Sequence, residues 1–174
     1  MVFRVTFLLI SAVMVGLYLI LMLGIEPALL KYTGGLTLFD LRPLGYSTLD
    51  VKEYFLALQP AGRTLYLSYW YPADTVFLLA LTAFFIMAIK VLFGARAGFM
   101  RIVSVVLPLS YGVCDVAENL LVSALFKAGP ENVQNGVIWL ANVMTRTKFV
   151  VFGLLVALVL LGLLRLVLRL RRAR

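Results

Sequence analysis

Asp115, Glu118 and Asn119 interrupt a run, residues 102–126, whose composition is otherwise that of a helix crossing a lipid bilayer. A carboxylate at bilayer depth costs roughly 2.5–3.5 kcal/mol on insertion scales. Chains that keep such groups use them to handle a substrate, ion or proton, or to hold helices together. Residues three and four apart share a helix face. Asp115 therefore lies beside Glu118 and Asn119, with Tyr111 one turn before and Ser123 one turn after. Lipid cannot satisfy this stripe, so it must face protein or water.

Two neighbouring carboxylates in low dielectric resist ionising together unless a cation is close. Arg146 and Lys148, just ahead of the next apolar run, are the nearest cations by depth, and Arg42, Arg63 and Asp74 can join from the same side. A second constellation is Asp40-x-Arg42-Pro43-x-Gly45-Tyr46, a rigid turn that can aim polar side chains at a cavity mouth. Turn chemistry, with Asp40 and Arg42 neutralising each other, explains the same residues without a ligand, and is the favoured reading.

Other chemistries are disfavoured by what the chain lacks. It has no histidine and one cysteine, Cys114, so an internal disulfide is excluded and a zinc, haem or iron–sulfur site is improbable. No nucleophile elbow, Walker loop or dinucleotide fingerprint occurs in the sequence. No metal or cofactor is expected.

The elements that must position these residues follow from hydropathy. The chain is 63% hydrophobic, only 14% charged, and has a mean hydropathy of +1.04. A soluble domain is nearer half apolar and a quarter charged. The apolar residues fall in four runs long enough to cross a bilayer, at about residues 5–25, 73–93, 102–126 and 146–168. The first run is too long for a signal-peptide core, lacks a cleavage site before Glu26-Pro27, and is read as a retained helix. Tyr71-Pro72 is a natural start for the second, because proline in a first turn sacrifices only an orphan donor.

Charge sets the orientation. With the N-terminus inside, the inner segments carry Arg4, Lys90, Arg96, Arg101, Arg165, Arg169, Arg171, Arg172 and Arg174, nine cations and no acid. Both termini are therefore expected in the cytoplasm, and a bacterial cytoplasmic membrane suits the pattern. The net charge of +8 is mostly a topology signal. Its Arg-rich C-terminal end suits anionic lipid heads better than nucleic acid.

The outer segment, residues 26–72, is too long to lack structure. Ser47-Thr48-Leu49-Asp50 reads as a capping box opening a short surface helix, 48–59, stopped by Pro60 and Gly62. A helical pattern resumes from Glu131 and runs into the fourth span. Small-residue pairs at Ala12/Gly16 and Gly153/Ala157 would allow close helix approach, within one chain or between copies.

The expected fold is an all-α integral membrane protein: a four-transmembrane-helix bundle with a short outer surface helix, one membrane domain over residues 1–174. The expected site is a buried acidic cluster open to the outer side, binding or moving a proton, cation or polar substrate. Two other classes fit the same residues. One is a membrane enzyme acting on a lipid or amphiphile by carboxylate acid/base chemistry. The other is an accessory subunit, homo-oligomeric or part of a larger complex, whose acids are structural glue. The sequence alone leaves enzyme, transporter and subunit open.

Overall fold

The computed structural model describes residues 2–94 and 98–172. Arg96 and Arg174, two of the nine cations used for orientation, lie outside the described residues. Helices account for almost all of the rest, and no strand occurs among the described residues. We label the helices α1 (Val2–Tyr32), α2 (Thr48–Ala57), α3 (Pro60–Phe93), α4 (Gly98–Ala128) and α5 (Asn135–Arg172). All except α2 are long and apolar enough to cross a membrane.

The prolines behave differently from the sequence expectation. Glu26-Pro27 does not end the first helix, and Tyr71-Pro72 does not begin the second span. Each proline instead follows a π-helical turn, Ile20–Ile25 before Pro27 and Tyr66–Trp70 before Pro72. Proline within a helix lacks one donor and crowds the preceding turn. A π turn widens the helix there and absorbs the misfit. The two π turns lie against one another, so α1 and α3 deform at the same level.

The surface helix α2 is shorter than expected, because Leu58 turns extended after Ala57. Its capping box is present, with Ser47 Oγ accepting from the Asp50 N–H and the Asp50 carboxylate accepting from the Ser47 N–H. Pro60 then opens α3 rather than stopping a helix. Gly62 falls inside α3, where the lack of a side chain admits Tyr32 from the end of α1. Helix α5 starts at Asn135 and not Glu131, because Pro130–Asn132 form a 3₁₀ turn.

Helices α3, α4 and α5 pack on one another, and α1 packs on α3. The close approaches use Gly112 of α4 against Thr82 of α3, and Gly162 of α5 against Leu92 and Phe93 of α3. Gly16 and Gly153, the members of the expected small-residue pairs, face open space instead. At one end of the bundle, residues 33–59 close over an aromatic core. Tyr66 stacks on Phe126 at 3.9 Å, and Phe39, Tyr54 and Phe55 surround that pair. A smaller core of Leu81, Phe85, Ile89, Tyr111 and Leu155 lies further along the bundle.

Candidate binding site

The buried face of α5 is Ile138, Ala141, Thr145 and Lys148, spaced three, four and three residues apart. The matching face of α4 carries Tyr111, Asp115, Glu118, Asn119 and Val122. Packing α4 on α5 therefore sets a lysine opposite two acids. Lys148 Nζ donates to Asp115 Oδ1 at 2.9 Å and stands 2.5 Å from Glu118 Oε2. Thr145 Oγ1 donates to the other oxygen of Glu118 at 2.5 Å. Glu118 is wholly shielded from solvent, and Asp115 and Lys148 nearly so. Of the four cations expected near the acids, Lys148 is the one that meets them.

The other three lie elsewhere. Arg146, two residues from Lys148, points off the buried face and is exposed. Arg42 does not neutralise Asp40: its guanidinium donates twice to the Thr37 carbonyl, at 3.0 and 2.7 Å, and reaches 4.0 Å from Asp50. Its distance from its neighbour follows from the 3₁₀ turn Phe39–Leu41, which buries Asp40 while Arg42 turns outward over the Phe39 ring. Arg63 also stays outside the cluster, bonding the Lys127 carbonyl at the end of α4.

Asp40 is only 3% exposed. Trp70 Nε1 donates to its Oδ2 at 2.9 Å and the Tyr66 hydroxyl at 3.4 Å, while its Oδ1 has no partner. Burial among these groups raises its pKa above the ordinary carboxylate value. Asp74, on α3, accepts from Asn119 Nδ2 at 2.7 Å. Ser123 bonds back to the Leu120 carbonyl and takes no part.

Asp40, Asp74, Asp115 and Lys148 share a cavity of about 530 Å³. Its walls are Met14, Val15, Tyr18 and Met22 of α1 on one side and Phe149 and Phe152 of α5 on the other, with Phe77, Leu81 and Tyr111 between them. The volume lies in the range of small-molecule sites, which are mostly apolar with a few fixed polar groups. Of the sequence candidates, Asp40, Asp74, Tyr111, Asp115 and Lys148 line it. Glu118 and Asn119 lie behind these, each bonded to a lining residue, and Arg42 and Arg146 do not reach it.

Two contributors escaped the sequence reading. Thr145 shares the Lys148 face three residues earlier, a spacing that could have flagged it. Trp70 is not among the sequence candidates, and nothing in its local spacing points to Asp40, thirty residues away. Among the described residues no three His, Cys, Asp or Glu side chains are gathered as a metal site. Comparison with known proteins finds no matching family model, no matching curated protein and no matching solved structure. The functional reading therefore rests on the geometry of the site.

Proposed function

We propose that this is a multi-pass membrane protein that binds an amphiphile in the cleft between α1 and α5. Four apolar helices, with the positive charge gathered at one side of the sequence topology, support the membrane reading and cytoplasmic termini. The exposed arginines Arg165, Arg169 and Arg172 at the far end of α5 suit anionic lipid heads there.

Depth carries the argument further. Helix α3 has 34 residues, which at 1.5 Å per residue is roughly 51 Å, against about 30 Å of hydrocarbon. One end must therefore project. On α5 the exposed residues change from Arg146 and Thr147 to Val150 and Leu154. On α1 the exposed apolar surface runs from Val2 to Leu23, and Lys31 beyond it is exposed. These changes support an outer hydrocarbon boundary near Lys148, Asp74 and Ile25. The acids are thus at headgroup level, shallower than mid-membrane.

The cavity is graded along the same direction. Its ionic residues are at the boundary end, and Phe152, Leu81 and Met14 line it one to three turns further in. That polarity matches a molecule with a polar head at the interface and an apolar body in the bilayer, and it is the observation that carries the proposal. The glue reading accounts for Glu118, which is buried between Thr145 and Lys148. It leaves unexplained why Asp40 and Asp74 face an apolar space.

The test is direct binding. Protein stripped of lipid and held in digitonin is titrated with single-chain dodecyl amphiphiles and followed by native mass spectrometry. One bound molecule is expected, and Val15→Trp, on the open α1 wall, should abolish it by filling the space. Uptake by the variant equal to that of the wild type would overturn the proposal.

A further inference from the structure

The cavity holds three carboxylates, Asp40, Asp74 and Asp115, against one cation, Lys148. That cation is already committed, since its Nζ bridges Asp115 and Glu118. Asp74 and Asp40 receive only neutral donors, Asn119 for the first and Trp70 and Tyr66 for the second. Arg42 and Arg146 point away, and no other ion pair reaches Asp40 or Asp74 among the described residues. Asp40 Oδ1 is buried with no partner at all. Such an orphan is expensive in a low-dielectric site unless a ligand completes it.

Resting on the amphiphile reading above, we propose that the head it accepts is a cation, an ammonium group carried on an apolar chain. The ammonium sits between Asp74 and Asp40, where it supplies the missing positive charge and, where it carries N–H groups, the missing donors. Aromatic faces border the same space, with Tyr18, Phe77 and Phe149 on three different helices. Rings of this kind attract ammonium groups, more strongly where water is excluded. An anionic head would meet three carboxylates and a lysine that is already paired. A bare divalent ion has no set of convergent ligands here.

Burial, the largest influence on Asp40, raises its pKa. Lys148 faces it from α5, Asp115 and Glu118 from α4, Tyr66 and Asp74 from α3, Tyr54 from α2, and Tyr46 from the loop ahead of it. A cation bound there favours the ionised form of Asp40.

The experiment compares heads on one chain length. Dodecyltrimethylammonium, dodecylamine, dodecyl maltoside and dodecyl phosphate are each titrated into the digitonin-held protein. The ammonium heads should bind at least ten times more tightly than the neutral one, and the phosphate most weakly. Asp40→Asn with Asp74→Asn should erase that preference, bringing the ammonium and maltoside affinities to within twofold of each other. Asp74→Asn alone, which keeps the buried loop intact, should reduce it severalfold, and covers the case in which the double variant does not fold. Equal affinity for all heads, or tighter phosphate, overturns the cation assignment and leaves the amphiphile reading standing. No binding of any head overturns both.

Discussion

Helices α3, α4 and α5 meet closely enough that single glycines decide the contact, whereas α1 leans on α3 and leaves a cleft toward α5. The difference appears in burial. None of the first 18 residues of α1 is buried, while α4 buries eleven, six of them polar, glycine or charged side chains in its middle turns. The close-packed trio holds the charges in fixed positions. The loose edge supplies space beside them. A site needs both, because a charge cluster enclosed on all sides would be glue and an apolar cleft without charges would have no preferred orientation for a ligand.

The trio is broken most severely at Lys148. Removing one partner of a buried ion pair leaves an uncompensated charge, at a cost of about 3–5 kcal/mol. Lys148→Met strands both Asp115 and Glu118, so it should lower the unfolding midpoint in detergent more than any other single change in the site. Adding Asp115→Asn and Glu118→Gln should recover most of the loss. Asp74→Asn, on the cavity side, exchanges a group held only by Asn119 and should cost about 1 kcal/mol or less. Equal losses for Lys148→Met and Asp74→Asn would mean that the paired and unpaired acids are not different.

Two glycines sharpen the same comparison with opposite signs. A Cβ on Gly162 would meet Leu92 Cβ and the Phe93 ring, each at 2.8 Å, so α5 would have to move off α3. Gly162→Ala should destabilise by about 1–3 kcal/mol, the usual cost of overpacking. A Cβ on Gly16 of α1 meets nothing within 4 Å. Gly16→Ala should be neutral or stabilise by up to about 1 kcal/mol through helix propensity. Paired thermal-unfolding curves decide it, and the contrast fails if both variants shift the same way.

Four long apolar helices were legible from hydropathy, since burial of backbone in lipid demands long runs with few charges. Lys148 was legible as a partner by depth, and the Asp115–Glu118–Asn119 face by helical spacing. The helix limits were not. Pro27 resembles a stop and Pro72 a start in sequence, and only the π turns ahead of them let the helices run through. The cavity was hidden for a related reason. Spacing tells which residues share a face of one helix, but Asp40, Asp74 and Asp115 come from three separate segments. Arg42 was misjudged because adjacency in sequence suggested a pair, whereas the tight turn buries one residue and turns the other outward.

The segment that carries Asp40 is seated partly by the cap of α2, and the smallest effect is expected there. Ser47 Oγ and the Ser47 N–H both engage the Asp50 carboxylate, each at 2.6 Å. These bonds, the Ser47 hydroxyl first, lower the Asp50 pKa below its ordinary value of 3.8. A carboxylate whose pKa falls on folding stabilises the fold above its unfolded value, and that contribution is lost as pH drops through the lowered folded value. Ser47→Ala removes the hydroxyl and should cost about 1 kcal/mol at neutral pH, as for other N-caps. The gap between variant and wild type should narrow as acid protonates Asp50. Because α2 roofs the aromatic core and does not touch the cavity, dodecylammonium affinity should stay within twofold of the wild type. A larger drop in affinity than in stability would mean that the cap itself positions Asp40, and that the division between packed frame and open edge extends into the roof.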